Sequence, residues 1–271
     1  MFGTQAAWRI RLASRLILKP TRNPLDASQL QRLVVETRGL KQELYCSTKS
    51  MDDVAPDIWI LKIPGSTGRA EKGTSFPAEL MAAQLHGKRT AVLTWNLPGY
   101  GQSEGDANLK LAAELLPEVV DAVVQKLKWS AVPLIAMGTS LGAALSIHLC
   151  TCRNVAGVVL CNPPSLPELM PRYNRWWNLW LGGSFMAQSI PPALRTISIV
   201  EKIKAPAVLI TSMADRVVPP ELQKRIAESY AGPLQVIEIV GADHDLRMAE
   251  IPEETILPAL DWLLTKAGIE T

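Results

Sequence analysis

The sequence is poor in the residues that build disulfide scaffolds and metal centres. Its 271 residues include four cysteines and three histidines. Cys150 and Cys152 are too close together for a zinc knuckle, no histidine pair lies near them, and Cys46 and Cys161 add no ligand spacing. We therefore expect buried free thiols and no metal or organic cofactor. Reduced cysteines are typical of a cytoplasmic protein.

A large excess of charge and a long apolar run are also missing. The net charge is +2, which gives no sign of nucleic-acid binding and leaves the steering of a substrate to local patches. No apolar run is long enough for a signal-peptide core or a membrane span. With 48% hydrophobic and 20% charged residues, the chain has the composition of a globular protein with one large domain.

The first 25 residues form a basic amphipathic segment. Its apolar residues, among them Trp8, Leu12 and Leu16, are interrupted by arginines. Such a segment could lie on an anionic membrane surface, which would give a cytoplasmic protein a weak peripheral contact with a membrane. The alternative that we favour is a helix packed against the domain, or a frayed terminus.

A glycine-serine-glycine motif follows a short apolar run. Residues 133–142 read Pro-Leu-Ile-Ala-Met-Gly-Thr-Ser-Leu-Gly and lead into an alanine-rich helix, which places G-x-S-x-G between a strand and a helix. A sharp turn there would strain Ser140, and the glycines on either side would let strand and helix approach closely. Ser140 would then be an exposed nucleophile at the carboxyl edge of a sheet. The alternative for Ser140 is an ordinary helix N-cap.

Two later strand ends carry the partners that a serine nucleophile needs. Asp215 follows the β-rich run 207–211, and His244 follows the strand 234–240. The chain order Ser140, Asp215, His244 is that of the α/β-hydrolase triad. Singly, Asp215 could be a helix-capping carboxylate and His244 a surface histidine. Their joint occurrence at strand ends in this order favours the triad.

Residues that could compete for these roles are few. His86 precedes a strand on a polar loop, and His148 lies on the helix that follows the serine motif. We expect both to be structural or exposed to solvent, which leaves His244 as the general base. Asp243 is adjacent to His244, and in an extended loop its side chain should point away from the imidazole Nδ1. Asp215 is therefore the predicted triad acid.

Four segments together resemble the α/β-hydrolase-fold serine hydrolases. They are residues 96–105, which contain G-x-G-x-S-x-G, and residues 138–142, 214–219 and 243–244. The resemblance spans roughly residues 55–265. Within that superfamily the sequence is most similar to the compact subfamily that contains Bem46-like proteins and the ABHD13 and ABHD17 type enzymes. The resemblance implies a serine hydrolase but not a particular substrate.

The oxyanion hole is assigned from this resemblance. The backbone N–H of Leu141, the residue after the nucleophile, would meet the tetrahedral oxyanion. By family analogy the second N–H would come from Ser66, with Thr67 as the alternative. The sequence departs from the family pattern twice in this region. The family usually carries His-Gly after the third strand, where this chain has Pro64, and often an arginine before the next glycine-rich loop, where this chain has Pro98.

Strands and helices alternate along the rest of the chain. This alternation predicts an α/β class protein with the α/β-hydrolase fold, in which a mostly parallel sheet is flanked by helices. An antiparallel hairpin within 33–47 precedes the first core strand at 58–63. We take residues 26–271 as the hydrolase domain, with a short helical lid inserted at about 162–195.

The insertion is rich in proline and tryptophan. Three of the eight tryptophans, Trp176, Trp177 and Trp180, lie within it. As a lid, it would wall the substrate pocket over Ser140 with apolar surface, and the substrate would be an uncharged or lipophilic acyl compound. The tryptophans could instead pin the insertion onto the sheet, and the two roles are compatible.

Together these residues predict an enzyme, a serine hydrolase that acts on a small-molecule acyl substrate. It would cleave an ester, thioester or amide bond of a small or lipophilic acyl group through an acyl-enzyme. Two alternatives stay open. An acyltransferase or a perhydrolase would use the same triad, and a catalytically silent α/β-hydrolase-fold protein would act as a binding module.

Overall fold

In a computed structural model, eight strands form one sheet. The structure describes residues 2–48, 54–84, 87–173 and 187–269. The strands, numbered in chain order, are β1 Gln31–Thr37, β2 Leu40–Cys46, β3 Ile58–Ile63, β4 Thr90–Trp95, β5 Leu134–Thr139, β6 Gly157–Cys161, β7 Ala207–Ser212 and β8 Leu234–Ile239.

The sheet is mostly parallel. Its order is β1-β2-β4-β3-β5-β6-β7-β8, in which β2 pairs antiparallel with both β1 and β4, and the strands from β4 to β8 pair in parallel. The central strands are covered on both faces, and in β7 every residue is buried. Because both faces are covered, these strands are continuous apolar runs rather than alternating ones. The predicted α/β-hydrolase fold is confirmed.

Helices cover both faces of the sheet. Among the described residues they are α1 Phe2–Ile17, α2 Ala78–Gln84, α3 Leu109–Leu127, α4 Leu141–Cys152, α5 Leu166–Tyr173, α6 Thr196–Val200, α7 Pro220–Ser229 and α8 Glu253–Lys266. One core layer contains buried residues of α1, α3, α4, α6 and α7, and the other contains those of α2 and α8.

Helix α3 illustrates how the sequence sets these elements. Asn108 is its N-cap, and the Asn108 Oδ1 accepts the backbone N–H of Lys110 at 2.9 Å and of Leu111 at 3.2 Å. Its buried residues recur at helical spacing along one face, which packs on the sheet. The helix ends at Lys128, whose φ of 57° is left-handed.

The N-terminal helix α1 packs against the domain, which is the arrangement that we favoured from the sequence. Ala13, Ser14 and Leu18 are buried. The Ser14 Oγ accepts a hydrogen bond of 3.0 Å from the backbone N–H of Leu109. In the part of the chain that the structure describes, no helix combines the length and apolarity needed to cross a bilayer.

The insertion after β6 is described in two parts. One part contains α5, and the other contains a short 3-10 helix, Pro192–Leu194. Trp176, Trp177 and Trp180 lie outside the described residues, so the apolar lid wall stays a prediction. The five-residue α6 is too short to show a helical period in the sequence.

The cysteines are free thiols, as expected, but their burial differs. Cys46 and Cys161 are buried, whereas Cys150 and Cys152 are partly exposed. The expectation of buried thiols is therefore correct for the two strand cysteines and wrong for the two on α4, which lie near the carboxyl end of that helix.

Candidate active site

Ser140 lies at a sharp turn between β5 and α4. Its backbone φ of 52° and ψ of −122° lie outside the regions that residues other than glycine usually adopt. Such backbone strain is expected of a nucleophile elbow. Two glycines make the turn possible. A Cβ on Gly138 would lie 2.2 Å from the Gly142 carbonyl oxygen, and a Cβ on Gly142 would lie 1.8 Å from the Ile63 carbonyl oxygen. The close approach of strand and helix therefore requires glycine at both positions.

The Ser140 side chain does not cap α4, because it accepts no hydrogen bond from the N–H groups of that helix. Instead, its Oγ lies 3.0 Å from the Nε2 of His244. The backbone N–H of Ser140 donates to the carbonyl of Cys161 at 2.8 Å, which ties the turn to the end of β6. The helix-capping alternative is therefore wrong for this serine.

His244 bridges Ser140 and Asp215. Its Nδ1 lies 2.7 Å from the Asp215 Oδ2, while its Nε2 faces the Ser140 Oγ. The Asp215 side chain is fully buried, and the His244 side chain is 17% exposed. A buried carboxylate at Nδ1 selects the imidazole tautomer with its proton there, which leaves Nε2 as an acceptor toward the hydroxyl. The three residues predicted to form a triad are thus brought into contact.

Asp215 is held through both of its carboxylate oxygens. Oδ1 accepts the backbone N–H of Val217 at 2.8 Å and of Val218 at 2.7 Å. The Gln223 amide lies 3.5 Å from Oδ2 and donates to the Val218 carbonyl at 2.9 Å. These N–H groups belong to the loop before α7, whose N-cap Pro219 receives no side-chain hydrogen bond, so Asp215 is not a helix cap and its Oδ2 orients His244.

Asp243 is turned toward the backbone rather than toward the imidazole. Its Oδ1 accepts the backbone N–H of His244 at 2.7 Å and of Arg216 at 3.3 Å. These two hydrogen bonds lower the pKa of the exposed Asp243 carboxyl below its ordinary value. Asp243 therefore shapes the loop that carries His244, while Asp215 meets the ring.

Asn162, directly after β6, is a positioning residue that the sequence analysis missed. Its φ of 48° is left-handed, and its side chain is buried. Its Oδ1 accepts the N–H of Ser212 at 2.8 Å, and its Nδ2 donates to the Ser212 Oγ at 3.0 Å and to the His244 carbonyl at 3.4 Å. Asn162 thus joins the ends of β6 and β7 to the histidine loop. Its place between a buried strand and two prolines was the available signal.

The loop after β3 lies against the elbow turn. A Cβ on Gly65 would lie 3.3 Å from the Thr139 carbonyl oxygen and 3.4 Å from the Ser140 Cβ. The N–H of Leu141 belongs to the first turn of α4, where N–H groups have no partner within the helix. Both predicted sources of oxyanion donors, the Leu141 N–H and the loop that contains Ser66, are therefore beside Ser140.

The N-terminal segment helps to hold this loop. The Ser66 carbonyl accepts the Tyr100 hydroxyl at 2.6 Å and the backbone N–H of Lys19 at 3.1 Å. The Arg69 guanidinium donates to the carbonyl and the hydroxyl of Thr21 at 2.8 and 3.0 Å. Residues that precede the predicted domain boundary at 26 thus contact the site region directly.

A buried polar network, which the sequence did not predict, joins the loop after β3 to β2 and to the residue after β4. The Asn96 Nδ2 donates to Glu43 and to Glu71 at 2.8 Å each, and its Oδ1 accepts the Ala70 N–H at 2.8 Å. Arg69 and Glu71 form a buried ion pair. Burial alone would raise the pKa of the Glu43 carboxyl, but the hydrogen bonds that it accepts hold that pKa below its ordinary value. The network fixes the loop as a unit.

Ser140 and His244 open on a cavity of about 1100 Å³. Part of its wall is apolar, from the side chains of Phe76, Leu166, Leu169, Met170 and Met248. A cavity of this size suits an organic ligand, and its apolar wall suits a hydrocarbon chain. Lys62 is one of five basic residues that line the cavity, and burial lowers the pKa of its ammonium to about 8.

The other histidines are placed as follows. The His148 Nε2 lies 3.1 Å from the Ala113 carbonyl oxygen, and burial lowers the pKa of this imidazole. His148 is therefore structural, as expected. His86 lies outside the described residues. Searched over the described residues, the chain contains no group of three or more His, Cys, Asp or Glu side chains that could hold a metal ion.

The chain is similar in sequence to known proteins. A sequence profile of the alpha/beta hydrolase family matches residues 63–200. An uncharacterised protein of Mycobacterium tuberculosis is 28% identical over 245 residues, and the match covers 85% of this chain and 80% of that protein.

Several solved structures share the fold. An esterase of Pyrococcus furiosus has a TM-score of 0.65 and 18% identity over 92% of this chain and 98% of that one. The Thermogutta terrifontis esterase 2, phosphoramylated by tabun, has a TM-score of 0.64 and 15% identity over 93% and 99% of the two chains. The Butyrivibrio proteoclasticus protein Est1E, with ferulic acid bound, has a TM-score of 0.61 and 17% identity over 87% and 98%. At these identities, the likeness is one of fold.

Proposed function

The chain belongs to the alpha/beta hydrolase family, and from that premise we propose that it is a serine hydrolase. The observation that carries the proposal is the position of His244, 3.0 Å from the Ser140 Oγ and 2.7 Å from the Asp215 Oδ2. The substrate is an ester, thioester or amide of a small or lipophilic acyl group. The apolar wall of the cavity and the esterases among the structural neighbours support an ester.

Acylation is the first half of the proposed reaction. The Ser140 Oγ attacks the acyl carbonyl while the His244 Nε2 accepts the hydroxyl proton, and Asp215 stabilises the imidazolium that forms. The tetrahedral oxyanion accepts hydrogen bonds from the backbone N–H groups of Leu141 and Ser66. His244 then gives its proton to the leaving group, and the acyl-enzyme remains.

Deacylation follows by the same groups. A water molecule loses a proton to His244 and attacks the acyl carbonyl, so that a second oxyanion forms at the same two N–H groups. The bond to the Ser140 Oγ breaks, and the oxygen takes its proton back from the imidazolium. We further propose that, within the family, the chain is most similar to the Bem46-like proteins and the ABHD13 and ABHD17 type enzymes, on the resemblance of residues 96–105, 138–142, 214–219 and 243–244.

Hydrolysis of p-nitrophenyl acetate and butyrate by the purified chain tests this proposal. We expect saturable release of p-nitrophenol, because the leaving group is activated and the cavity is large enough for both acyl groups. An enzyme that turns over neither these esters nor the corresponding acyl thioesters is not the hydrolase proposed.

The lid tryptophans give the proposal a chain-length test. Trp176 and Trp180 are four residues apart and share a face if that stretch is helical. Replacing both with alanine should raise the KM for p-nitrophenyl octanoate more than for the acetate, since a buried aromatic contact can contribute about 1.5–3 kcal/mol. The exposed Trp8, changed to alanine, is the control and should shift neither KM. If both KM values rise equally in a folded variant, the tryptophans only pin the insertion.

The solvent-exposed face of α1 supports the contact with a membrane surface, which was one of the two interpretations of residues 1–25. Trp8, Leu12 and Leu16 recur at every fourth position and are 48%, 42% and 53% exposed. Arg11 and Arg15 are exposed beside them, and the helix contains no acidic residue. We propose that this face rests weakly on an anionic lipid surface. Because Leu16 also lines the cavity, the contact would bring the cavity close to the lipid.

Vesicle flotation checks this contact. The chain should float with vesicles of phosphatidylcholine and phosphatidylserine more than with phosphatidylcholine alone. Reversing two charges in R11E/R15E should weaken binding to the anionic vesicles by at least about 10-fold, since each basic residue contributes about 1 kcal/mol near such a surface. The same reversal at the exposed Lys202 and Lys224 is the control. Equal flotation of both variants with the anionic vesicles would contradict the contact.

A further inference from the structure

Three neighbouring side chains on one face of the sheet line the cavity. Lys62 on β3 is in register with Thr94 on β4 and with Met137 on β5. Register partners in parallel strands lie on the same face, about 4.8 Å apart. All three residues line the cavity that Ser140 and His244 also line. Lys62 is therefore a cation on the wall of the proposed substrate cavity, beside Thr94 and Met137.

The Lys62 ammonium has no counter-ion in the part of the chain that is described. Its Nζ donates to the carbonyl and the hydroxyl of Thr74, at 3.1 and 3.2 Å, and it takes part in no ion pair with a described carboxylate. These two neutral oxygens accept two of the hydrogen bonds that the ammonium can donate, but they do not neutralise its charge. A partly buried cation without a counter-ion is unusual, because removing a charge from water is costly.

The Thr94 hydroxyl is also unsatisfied. It is buried, and no described residue forms a hydrogen bond with its Oγ1. Gly73 packs against this hydroxyl, since a Cβ there would lie 2.7 Å from that oxygen. Gly73 lines the same cavity. The Thr94 Oγ1 is almost completely covered by protein atoms, so this hydroxyl is closed to the cavity and leaves Lys62 as the donor that a ligand can reach.

The charged residues around the cavity are mostly basic. They are Lys19, Lys62, Arg69, Lys72 and Arg247, against Asp245 and Glu250. Arg69 and Arg247 already form ion pairs, the second of them with Glu250 itself. The remaining charge favours a ligand with a negative group.

We propose that the Lys62 ammonium forms a subsite for a carboxylate carried by the substrate, away from the bond that is cleaved. The inference rests on the proposed hydrolase function and refines its substrate class. A hydrogen bond from an ammonium to a carboxylate is stronger than one between neutral groups. The sequence alone led us to expect an uncharged or lipophilic substrate. The subsite instead selects an acyl compound with an apolar portion and an anionic end.

Binding to an enzyme that cannot turn over separates this inference from the hydrolase proposal. In the S140A background, calorimetry compares monomethyl adipate, which is anionic, with dimethyl adipate, which is neutral. The monomethyl and dimethyl esters of succinate and of suberate test a shorter and a longer distance between the ester and the carboxylate. The anionic member of at least one pair should bind about 10- to 100-fold more tightly, which is the range for a hydrogen bond to a charged group.

Four variants locate the effect. K62M, which keeps the length of the side chain, should abolish the preference, whereas T94V, which removes a hydroxyl closed to the cavity, should leave it intact. K72M removes a cation from the exposed rim of the same cavity and should leave the preference largely intact. K62R, which retains the charge, should keep part of the preference for the anionic ester. It is the control for a folding defect in K62M.

The outcomes are distinguishable. Equal affinity for the members of every pair, no binding by any monoester, or a preference that survives in folded K62M would overturn the subsite. An equal loss in K72M would assign the effect to the general charge of the cavity and also overturn it. If the wild-type chain hydrolyses neutral esters while the preference is absent, the hydrolase proposal stands alone. If the preference is present and no ester is turned over, the hydrolase proposal fails.

Discussion

Replacing Ser140 with alanine should lower the kcat for p-nitrophenyl butyrate by about 10⁴-fold or more, because the variant has no nucleophile to form the acyl-enzyme. The residual rate would come from substrate binding and the oxyanion donors alone. The substitution removes one hydroxyl that contacts His244 and does not cap α4, so the fold should be unaffected. Steady-state kinetics, with circular dichroism of the same preparations, measure both effects.

The control for this prediction is an exposed serine away from the site. Ser130 precedes β5 at the opposite end of that strand from Ser140, and its change to alanine should leave kcat within a factor of about two. A folded Ser140→Ala variant that keeps more than about a tenth of the wild-type kcat would be inconsistent with Ser140 as the nucleophile.

The second large effect separates two aspartates in the same region. Asp215→Asn should lower kcat by about 10⁴-fold, since the neutral amide neither stabilises the imidazolium nor selects the correct tautomer of His244. Asp243→Asn should cost less than about 10-fold, because the Asp243 carboxylate meets backbone N–H groups rather than the ring.

The two substitutions are matched, since each replaces one carboxylate oxygen with an amide nitrogen. Thermal unfolding of both variants shows whether either effect is one of stability. Asp215 also accepts two loop N–H groups through its Oδ1, so Asp215→Asn should lose some stability as well as activity. A larger loss of kcat in Asp243→Asn than in Asp215→Asn would reverse the assignment.

The parts of the site that the sequence predicts correctly are those with local signals. The elbow is such a case, because the glycines at 138 and 142 are required by contacts within a few residues of Ser140 and with the end of β3. The positions of Asp215 and His244 follow from strand ends, and the carboxyl ends of parallel strands meet at one edge of the sheet. The fold class follows from the alternation of strands and helices.

The parts that the sequence did not predict depend on contacts between distant segments. Asn162 meets Ser212 and His244, which are 50 and 82 residues away along the chain. Asn96 meets Glu43 and Glu71 at separations of 53 and 25 residues. No local period fixes such pairs, because they exist only once the strands are in register. A polar residue next to a buried strand is a signal, but it does not identify its partner.

Lys62 illustrates the same limit within one strand. In the sequence, Lys62 is a single charged residue in the run 58–63, which predicts a buried strand and nothing about a ligand. Its significance comes from β4 and β5, which place Thr94 and Met137 beside it at the edge of the cavity. The order of the strands in the sheet, which the sequence pattern leaves open, decides that arrangement.

Covalent labelling with a fluorophosphonate probe tests the central claim most directly, because the probe reacts with a serine only when a base activates it. The account predicts one probe per chain in the intact-mass spectrum, located on the peptide that contains Ser140, and no labelling of the Ser140→Ala variant. Labelling that is undiminished in that variant, located on another residue, or absent from a folded wild-type chain would contradict the account.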